Sequence, residues 1–585
     1  MSGFGKTAAV LAGAMAAAEE DDCKVVYVCR TKRQIMRVVE ELSRIQEKYP
    51  IEAGSLLTKY DYCLLFRQTN RRVPPESFGW YCSFNVHNNL CSYFLNVTLS
   101  PDEFDRAVAA AKKTAMTHTK LVQDAQAIHV CPYEVAKMAM LEARVAVVSF
   151  PYAFDQKTSQ LLFDSGDIPK SRTILVVDEA HNLRDFLRGT HSSRLTFEEL
   201  DGAVREADSL LMEDASRSLS SLREIILRFT ESTFSWLLDK EALLEQVRRE
   251  RGTAWLQNLA LELTNCSNAA WGSVMYDRRL PSLLIRVGGF LAALSSMEGA
   301  ILVKLDRSLG LLKPNPVSSL AEYLQQFKSV VLLSATVSPS DVFTRSLGLE
   351  PSKVNTYTVA VAPLVTVRTV IDTGVTTKYK SRTPQMFAKI ADKICSIAES
   401  SESGVGIFAS SYSVLEPLRD SVGKRLVGRN LITERRGLTS QEAAEAFESF
   451  MSEKRSVLFA VQGGRFSEGE DFRGEMMDSV VVVGLSLPPP TAMLYAEYAC
   501  LKKAGEQDSY LMLSRLPALR KAFQSAGRHI RSPGKKGLVF FLDYRFNSNV
   551  VRDLMPPWLR ADILTGDFDP RAIARIASDF WGPAR

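Results

Sequence analysis

The four residues Asp178-Glu179-Ala180-His181, directly after the apolar run Ile174–Val177, have the composition of a metal-assisted hydrolysis site. Carboxylates at the carboxyl end of a buried strand sit where open parallel sheets bind ligands. Asp178 would hold Mg²⁺, Glu179 would orient and deprotonate an attacking water, and His181 would link the nucleotide to the next motif. Such a site needs a phosphate cradle, and Ser2-Gly3-Phe4-Gly5-Lys6-Thr7 offers one. Gly3 and Gly5 let backbone N–H groups approach phosphate oxygens, and the helix that follows adds the positive end of its dipole. Lys6 would neutralise the β- and γ-phosphates, and the Thr7 hydroxyl would sit on the magnesium ion.

Three further stretches complete a candidate constellation. Ser334-Ala335-Thr336 closes another apolar run and offers small hydroxyls for relaying hydrogen bonds. The stretch from Gly463 to Phe472 combines turn-forming glycines with Glu470 and Asp471, carboxylates suited to holding a second domain against nucleotide. In Gln524-Ser525-Ala526-Gly527-Arg528-His529-Ile530-Arg531, a helix would put Gln524, Arg528 and Arg531 on one face. Two guanidiniums there form an anion clamp able to reach across a cleft to a γ-phosphate. Taken alone, each of these three stretches also reads as a turn, a surface loop or a solvated basic face.

Of the nine cysteines, Cys63, Cys82, Cys91 and Cys131 are grouped. Cys23, Cys29, Cys266, Cys395 and Cys500 are scattered and read as small buried hydrophobes. The group contains no C-x-x-C pair, so it matches neither a zinc ribbon nor a bacterial ferredoxin, and spacing alone leaves a metal site open. Lys59, Arg67, Arg71 and Arg72 cluster near Cys63 as a candidate phosphate-contacting strip. The interleaved aromatics, Tyr60, Tyr62, Phe66, Trp80, Tyr81, Phe84, Tyr93 and Phe94, read mainly as packing.

The elements that must position these groups follow from patterning. Short β-branched runs at Val25–Cys29, Val145–Phe150, Ile174–Val177, Val330–Leu333, Gly404–Ala409, Val457–Val461, Val480–Leu485 and Leu538–Leu542 alternate with helical stretches. Continuous apolar strands need both sheet faces covered, so the pattern predicts parallel α/β domains. Two regions break the rhythm: 56–140 holds the cysteines, and 197–295 reads almost wholly as helix, for example Ser218–Phe229 and Lys240–Leu261. The predicted organisation is a first α/β domain in three parts (1–55, 141–196 and 296–348), the two insertions, and a second α/β domain over 349–585.

With 585 residues, 46% apolar and 24% charged, the chain has the composition of a multidomain globular protein. A net charge of +5 permits nucleic-acid binding without arguing for it. No apolar run reaches the ~20 residues of a membrane span, and no signal peptide is read, so a cytoplasmic chain without disulfides is expected.

In this order, SGFGKT, YVCRTKRQIMRVVEEL (Tyr27–Leu42), DEAH, SAT, GGRFSEGEDF and QSAGRHIR resemble the XPD family of superfamily 2 DNA helicases over nearly the whole chain. At this length it is closest to the compact archaeal members. The resemblance implies two RecA-like motor domains, the first carrying an iron–sulfur insertion and a helical Arch insertion. It implies a [4Fe–4S] cluster on Cys63, Cys82, Cys91 and Cys131, and ATP with Mg²⁺ between the motor domains. Lys6, Asp178 and Glu179 would line one wall, and Gln524, Arg528 and Arg531 the other. Gly3, Gly5, Thr7 and Asp471 complete the implied nucleotide contacts. Also implied are 5′→3′ movement on single-stranded and forked DNA, a role in DNA repair through nucleotide excision, repair-factor partners and a monomeric state. Val148–Asp155 matches a family stretch that approaches DNA, with Tyr152 and Phe154 as candidate contacts. Phe408–Tyr412 matches the motif opening the second motor domain. The same residues admit a DinG-like helicase of another pathway, a nucleic-acid-binding or redox-sensing protein of this fold without turnover, or zinc in place of iron. Since the strand that would precede the phosphate loop is missing from the sequence, exposed neighbouring edges and weak ATPase activity are expected of a chain starting at Met1.

Overall fold

Val, Ile and Leu runs that are apolar on both faces can only be satisfied inside a covered sheet, and they build two of them. The computed structural model describes the chain except for residues 1–5, 70–72, 74–77, 164–167, 234–235, 266–282, 335–338, 359–364, 469–471, 473–475, 530–533, 535 and 583–585. The first sheet has the order Ala53–Ser55, Val145–Ser149, Lys24–Cys29, Thr173–Val177, Ser329–Leu332, with every pairing parallel. The second has the order Leu431–Thr433, Val457–Val461, Gly404–Ala409, Met477–Val483, Lys536–Leu542, Thr366–Asp372, Ile563–Gly566, again all parallel. All eight predicted strands are present. The margin strand Ser329–Leu332 is only half-buried, whereas its neighbour Thr173–Val177 is buried throughout.

Between the first and third strands in sequence, the cysteine region folds as short helices from Lys59 to Glu142. The later insertion is built on the helices Phe197–Ser209, Glu213–Glu231, Lys240–Arg251 and Leu283–Ser296. The single helix expected over Lys240–Leu261 stops at Arg251, because Gly252 takes φ +94°, a conformation an L side chain resists. A four-stranded antiparallel sheet accompanies these helices, in the order Ser192–Thr196, Ser308–Leu312, Ile301–Leu305, Leu237–Leu238. Its residues Leu195, Leu302, Leu309 and Leu311 share one apolar core with Leu219, Ile226 and Leu291 of the helices. This packing unit therefore extends past both ends of the helical span read from the sequence. Its strands are short and joined by the tight Asp306-Arg307 turn, which leaves little period-2 signal. No described helix is long and apolar enough to cross a membrane.

Candidate active site

Where the buried strand Thr173–Val177 ends, two backbone bonds pin the acidic word. The Asp178 N–H donates to the Val28 carbonyl at 2.9 Å, and the Ala180 N–H donates to the Leu333 carbonyl at 2.8 Å. The word is thus stapled to the strand on each side. Between these staples Glu179 sits at φ +50°, ψ +41°, a left-handed conformation that persists in a non-glycine residue only where the surroundings over-determine it. Its N–H donates to Asp178 Oδ1 at 2.9 Å, which fixes the aspartate carboxylate over the strand end. Burial raises the Asp178 pKa, opposed by the charge of Lys6 and by that N–H.

His181 is the junction of the site. Its Nδ1 lies 2.9 Å from Ser334 Oγ and 3.3 Å from Glu179 Oε2. Its Nε2 accepts from the amide of Asn182 at 3.1 Å and from the amide of Gln524 at 3.1 Å. Two amide donors on Nε2 leave the ring proton on Nδ1. Burial, then the charges of Arg520, Arg30 and Lys6, hold the imidazole down at about 3, so it is neutral at pH 7. Three cations from separate parts of the chain therefore surround a neutral ring beside a carboxylate. That is a field for a polyanion.

Lys6 and Thr7 open the helix Lys6–Glu20, and Thr7 lies beside the hydroxyl of Tyr27. Gln524 is on the helix Leu516–Ala526. That helix ends earlier than a single Gln524–Arg531 face requires: Arg528 stands in the 3-10 turn Gly527–His529, where it is buried. Gly3, Gly5, Ala335, Thr336, Glu470, Asp471 and Arg531 lie outside the described residues, as do Arg71 and Arg72. Arg520 was missed by sequence reasoning. It is one helical turn before Gln524, a spacing that could have found it. Its guanidinium lies 5.5 Å from the Phe343 ring, and burial lowers its pKa to about 10. Glu434 was missed too. Nearly buried, it accepts from the Val461 N–H at 3.0 Å and the Arg465 N–H at 2.9 Å, holding the start of the Gly463–Phe472 loop.

Residues 27–200 match the DEAD_2 family model, and residues 394–562 match the model of the helicase C-terminal domain. The ATP-dependent DNA helicase XPD of Sulfolobus acidocaldarius is 24% identical over 554 residues, covering 90% of this chain and 88% of that protein. The chain is an XPD-like helicase. The ATP-dependent DNA helicase CHL1 of Eremothecium gossypii is 22% identical, over 96% of this chain and 76% of its own length. The regulator of telomere elongation helicase 1 homolog of Drosophila melanogaster is 21% identical over 92% of this chain, which spans 63% of that longer protein. A solved XPD helicase superposes with a TM-score of 0.67 at 20% identity, covering 96% of this chain and 94% of its own. An apo XPD structure gives 0.61 at 19%, over 96% of this chain and 95% of its own. The fold is therefore that of the XPD motors, with two RecA-like domains.

In this XPD-like helicase, three of the four grouped cysteines stand at helix N-termini. Cys63, Cys91 and Cys131 are the N-caps of Leu64–Arg67, Ser92–Leu99 and Pro132–Glu142, and Cys82 lies within Phe78–His87. The Cys63 sulfur accepts from the Phe66 N–H at 3.4 Å. Burial pushes Cys63 up to about 11 and Cys131 up to about 12, and raises Cys82 as well. The charges of Cys82 and Cys91 act on Cys63, and that of Cys82 acts on Cys131, so the four cysteines lie in one neighbourhood. As placed, no three His, Cys, Asp or Glu among the described residues stand close enough to hold a metal ion. Four thiols are the donor set of a sulfur-ligated cluster, and backbone N–H groups at Cys63 and Cys131 offset part of the burial that opposes thiolate.

The neighbouring aromatics mostly pack: Tyr60, Phe66, Phe78 and Tyr81 form a ring cluster that also touches Ile285 of the second insertion. Tyr152 is not a DNA-facing ring. It is 6% exposed, and its hydroxyl donates to the Leu57 carbonyl at 2.9 Å. Phe154 is half-buried against Phe150 and Tyr323. The Phe150–Phe154 stretch folds as one helical turn that turns these rings inward.

Proposed function

We propose that this ATP-dependent DNA helicase hydrolyses MgATP between its two motor domains and moves 5′→3′ along single-stranded DNA in repair, by nucleotide excision. The observation carrying the reading is the bond from Gln524 of the second domain to His181 of the first, set among Lys6, Arg30 and Arg520. Lys6 offsets the β,γ-phosphate charge. Thr7 and Asp178 would hold the magnesium ion, which supplies a positive charge at the phosphate oxygens. Glu179 orients water for in-line attack and takes its proton. The neutral His181 then links that site through Ser334 to the first domain and through Gln524 to the second. Arg528, with Arg531, reaches the γ-phosphate from the second wall, and closure of the cleft completes the site.

Exposed aromatics on the second domain support the DNA reading. Tyr510 and Tyr544 are 49% and 43% exposed, and the Arg515 guanidinium lies 5.4 Å from the Tyr510 ring. Aromatic faces stack bases without sequence preference, and guanidiniums add phosphate contacts. Cys63, Cys82, Cys91 and Cys131 would ligate a [4Fe–4S] cluster, which supplies a rigid cross-link for the insertion that parts the strands. Forked DNA and repair factors are the partners of a monomeric motor.

The test is polarity-resolved unwinding and DNA-stimulated ATPase on anaerobically purified protein. Unwinding of duplexes with a 5′ single-stranded tail, and not of those with a 3′ tail, is expected. Equal unwinding of both, or ATPase indifferent to DNA, overturns the reading.

A further inference from the structure

Away from the nucleotide residues, the two motor domains meet in a second contact with a consistent polarity. The first domain brings the helices Leu183–Thr190 and Ser340–Ser346. The second brings the helix Ala492–Lys503 and the π-helical turn Leu511–Arg515. Arg184 Nη2 lies 3.1 Å from Glu497 Oε2, and Arg188 grips the same carboxylate through Nη2 at 3.1 Å and through Nε. Arg345 reaches Asp508 at 2.8 Å and also pairs with Glu506. In each of these cross-domain pairs the guanidinium comes from the first domain and the carboxylate from the second. Val342 of the first domain packs with Met512, Leu513 and Leu516 of the second, forming an apolar centre beside the charges.

Burial decides what kind of contact this is. The Glu497 side chain is 1% exposed and that of Arg184 is 8% exposed. A surface pair of this sort would form and break freely, but parting a buried one strands charges away from water. The contact is therefore built to stay made. Arg184 also donates to the Ser346 carbonyl at 2.9 Å, tying the two first-domain helices together.

Both ends of this joint lead straight to the catalytic residues. Arg184 follows His181 by three residues, through the 3-10 turn Ala180–Asn182. The helix Ser340–Ser346 comes shortly after Ser334, which bonds to His181. On the other side Leu516, in the apolar centre, begins the helix that carries Arg520 and Gln524. The π-helical turn lies just before that helix, a local irregularity of the kind often found at functional sites.

We propose that Glu497 is a positioning residue: it anchors a fixed pivot between the motor domains that keeps Gln524 and Arg528 in register with His181 and Glu179. The inference rests on the ATPase reading above. Because the pivot acts on the register of the hydrolytic groups and not on the phosphate cradle, its loss lowers turnover and spares nucleotide affinity.

Glu497→Gln tests this, alone and with Arg188→Gln, which removes one of the two guanidiniums that grip the Glu497 carboxylate. At saturating single-stranded DNA, Glu497→Gln lowers kcat for ATP about tenfold, the scale expected of a sub-ångström misplacement, with KM within about twofold. The double variant recovers part of that loss. Hydrogen exchange without nucleotide reads the joint independently of turnover: Leu183–Thr190 and Ala492–Lys503 lose protection together in Glu497→Gln. A kcat within twofold of wild type, a KM that rises as kcat falls, or unchanged exchange in Leu183–Thr190 overturns the proposal. If the wild-type protein hydrolyses no ATP, the catalytic reading fails and the exchange comparison alone decides the pivot.

Discussion

Replacing Gln524 with alanine removes the one described side-chain bond that crosses from the helix Leu516–Ala526 to His181. A net hydrogen bond of this kind contributes about 1 kcal/mol, and more when its loss strands a buried partner. Here it does not, because Asn182 still donates to the same Nε2 at 3.1 Å. The expected loss is therefore about 1 kcal/mol of transition-state stabilisation, or roughly fivefold in kcat. KM for ATP stays within about twofold, since Gln524 touches the histidine and not the residues assigned to the phosphates. Steady-state ATPase at saturating single-stranded DNA measures both constants. Gln524→Glu goes further: its carboxylate would face a ring already surrounded by Arg520, Arg30 and Lys6, and would stabilise the imidazolium that burial now suppresses. A fall of a hundredfold in Gln524→Ala would mean that Gln524 acts on the nucleotide itself. No change would mean that the bond to His181 carries nothing between the domains.

Acid sensitivity follows from His181, held at about 3 when folded against 6.5 when unfolded. The unfolded chain takes up that proton first, so the contribution is whole above pH 6.5 and is lost as pH falls towards 3. Between pH 6.5 and 5 the loss approaches about 2 kcal/mol, and urea denaturation at the two pH values should show a slope that His181→Gln flattens. Lys6→Ala should abolish hydrolysis while leaving single-stranded DNA binding within about threefold by anisotropy. Cys131→Ser should lower bound iron and sulfide and the visible absorbance, and cost unwinding more than ATPase. Gly54→Ala should destabilise the first domain by about 1–3 kcal/mol in urea, because the added methyl would lie 2.6 Å from the Met140 Cα, where both sides are backbone.

The motor sheets were legible because parallel strands buried on both faces are written as unbroken apolar runs, as in Val145–Ser149 and Gly404–Ala409. The strand Thr366–Asp372 is not among the eight runs read from the sequence, since its polar Thr366 and Arg368 blur the pattern. Two-residue Leu237–Leu238 carries no period that could announce it. At the site, Asp178, Glu179 and His181 were legible as a word, but the left-handed backbone of Glu179 was not. It arises from the staples to Val28 and Leu333, distant in sequence. Glu434 and Glu497 were invisible for the same reason: each is an ordinary charged residue until the fold buries it against a partner far along the chain, whereas Arg520 was legible from its spacing to Gln524 and was overlooked. Tyr152 shows the converse, an aromatic in a DNA-like context whose hydroxyl is committed to Leu57.

A structure with magnesium and a non-hydrolysable ATP analogue tests the central claim most directly. The account predicts the γ-phosphate between Lys6 and Asp178 on one side and Arg528 on the other, with Gln524 still bonded to His181. A triphosphate bound elsewhere, or touching only one motor domain in the closed, DNA-bound state, would contradict it.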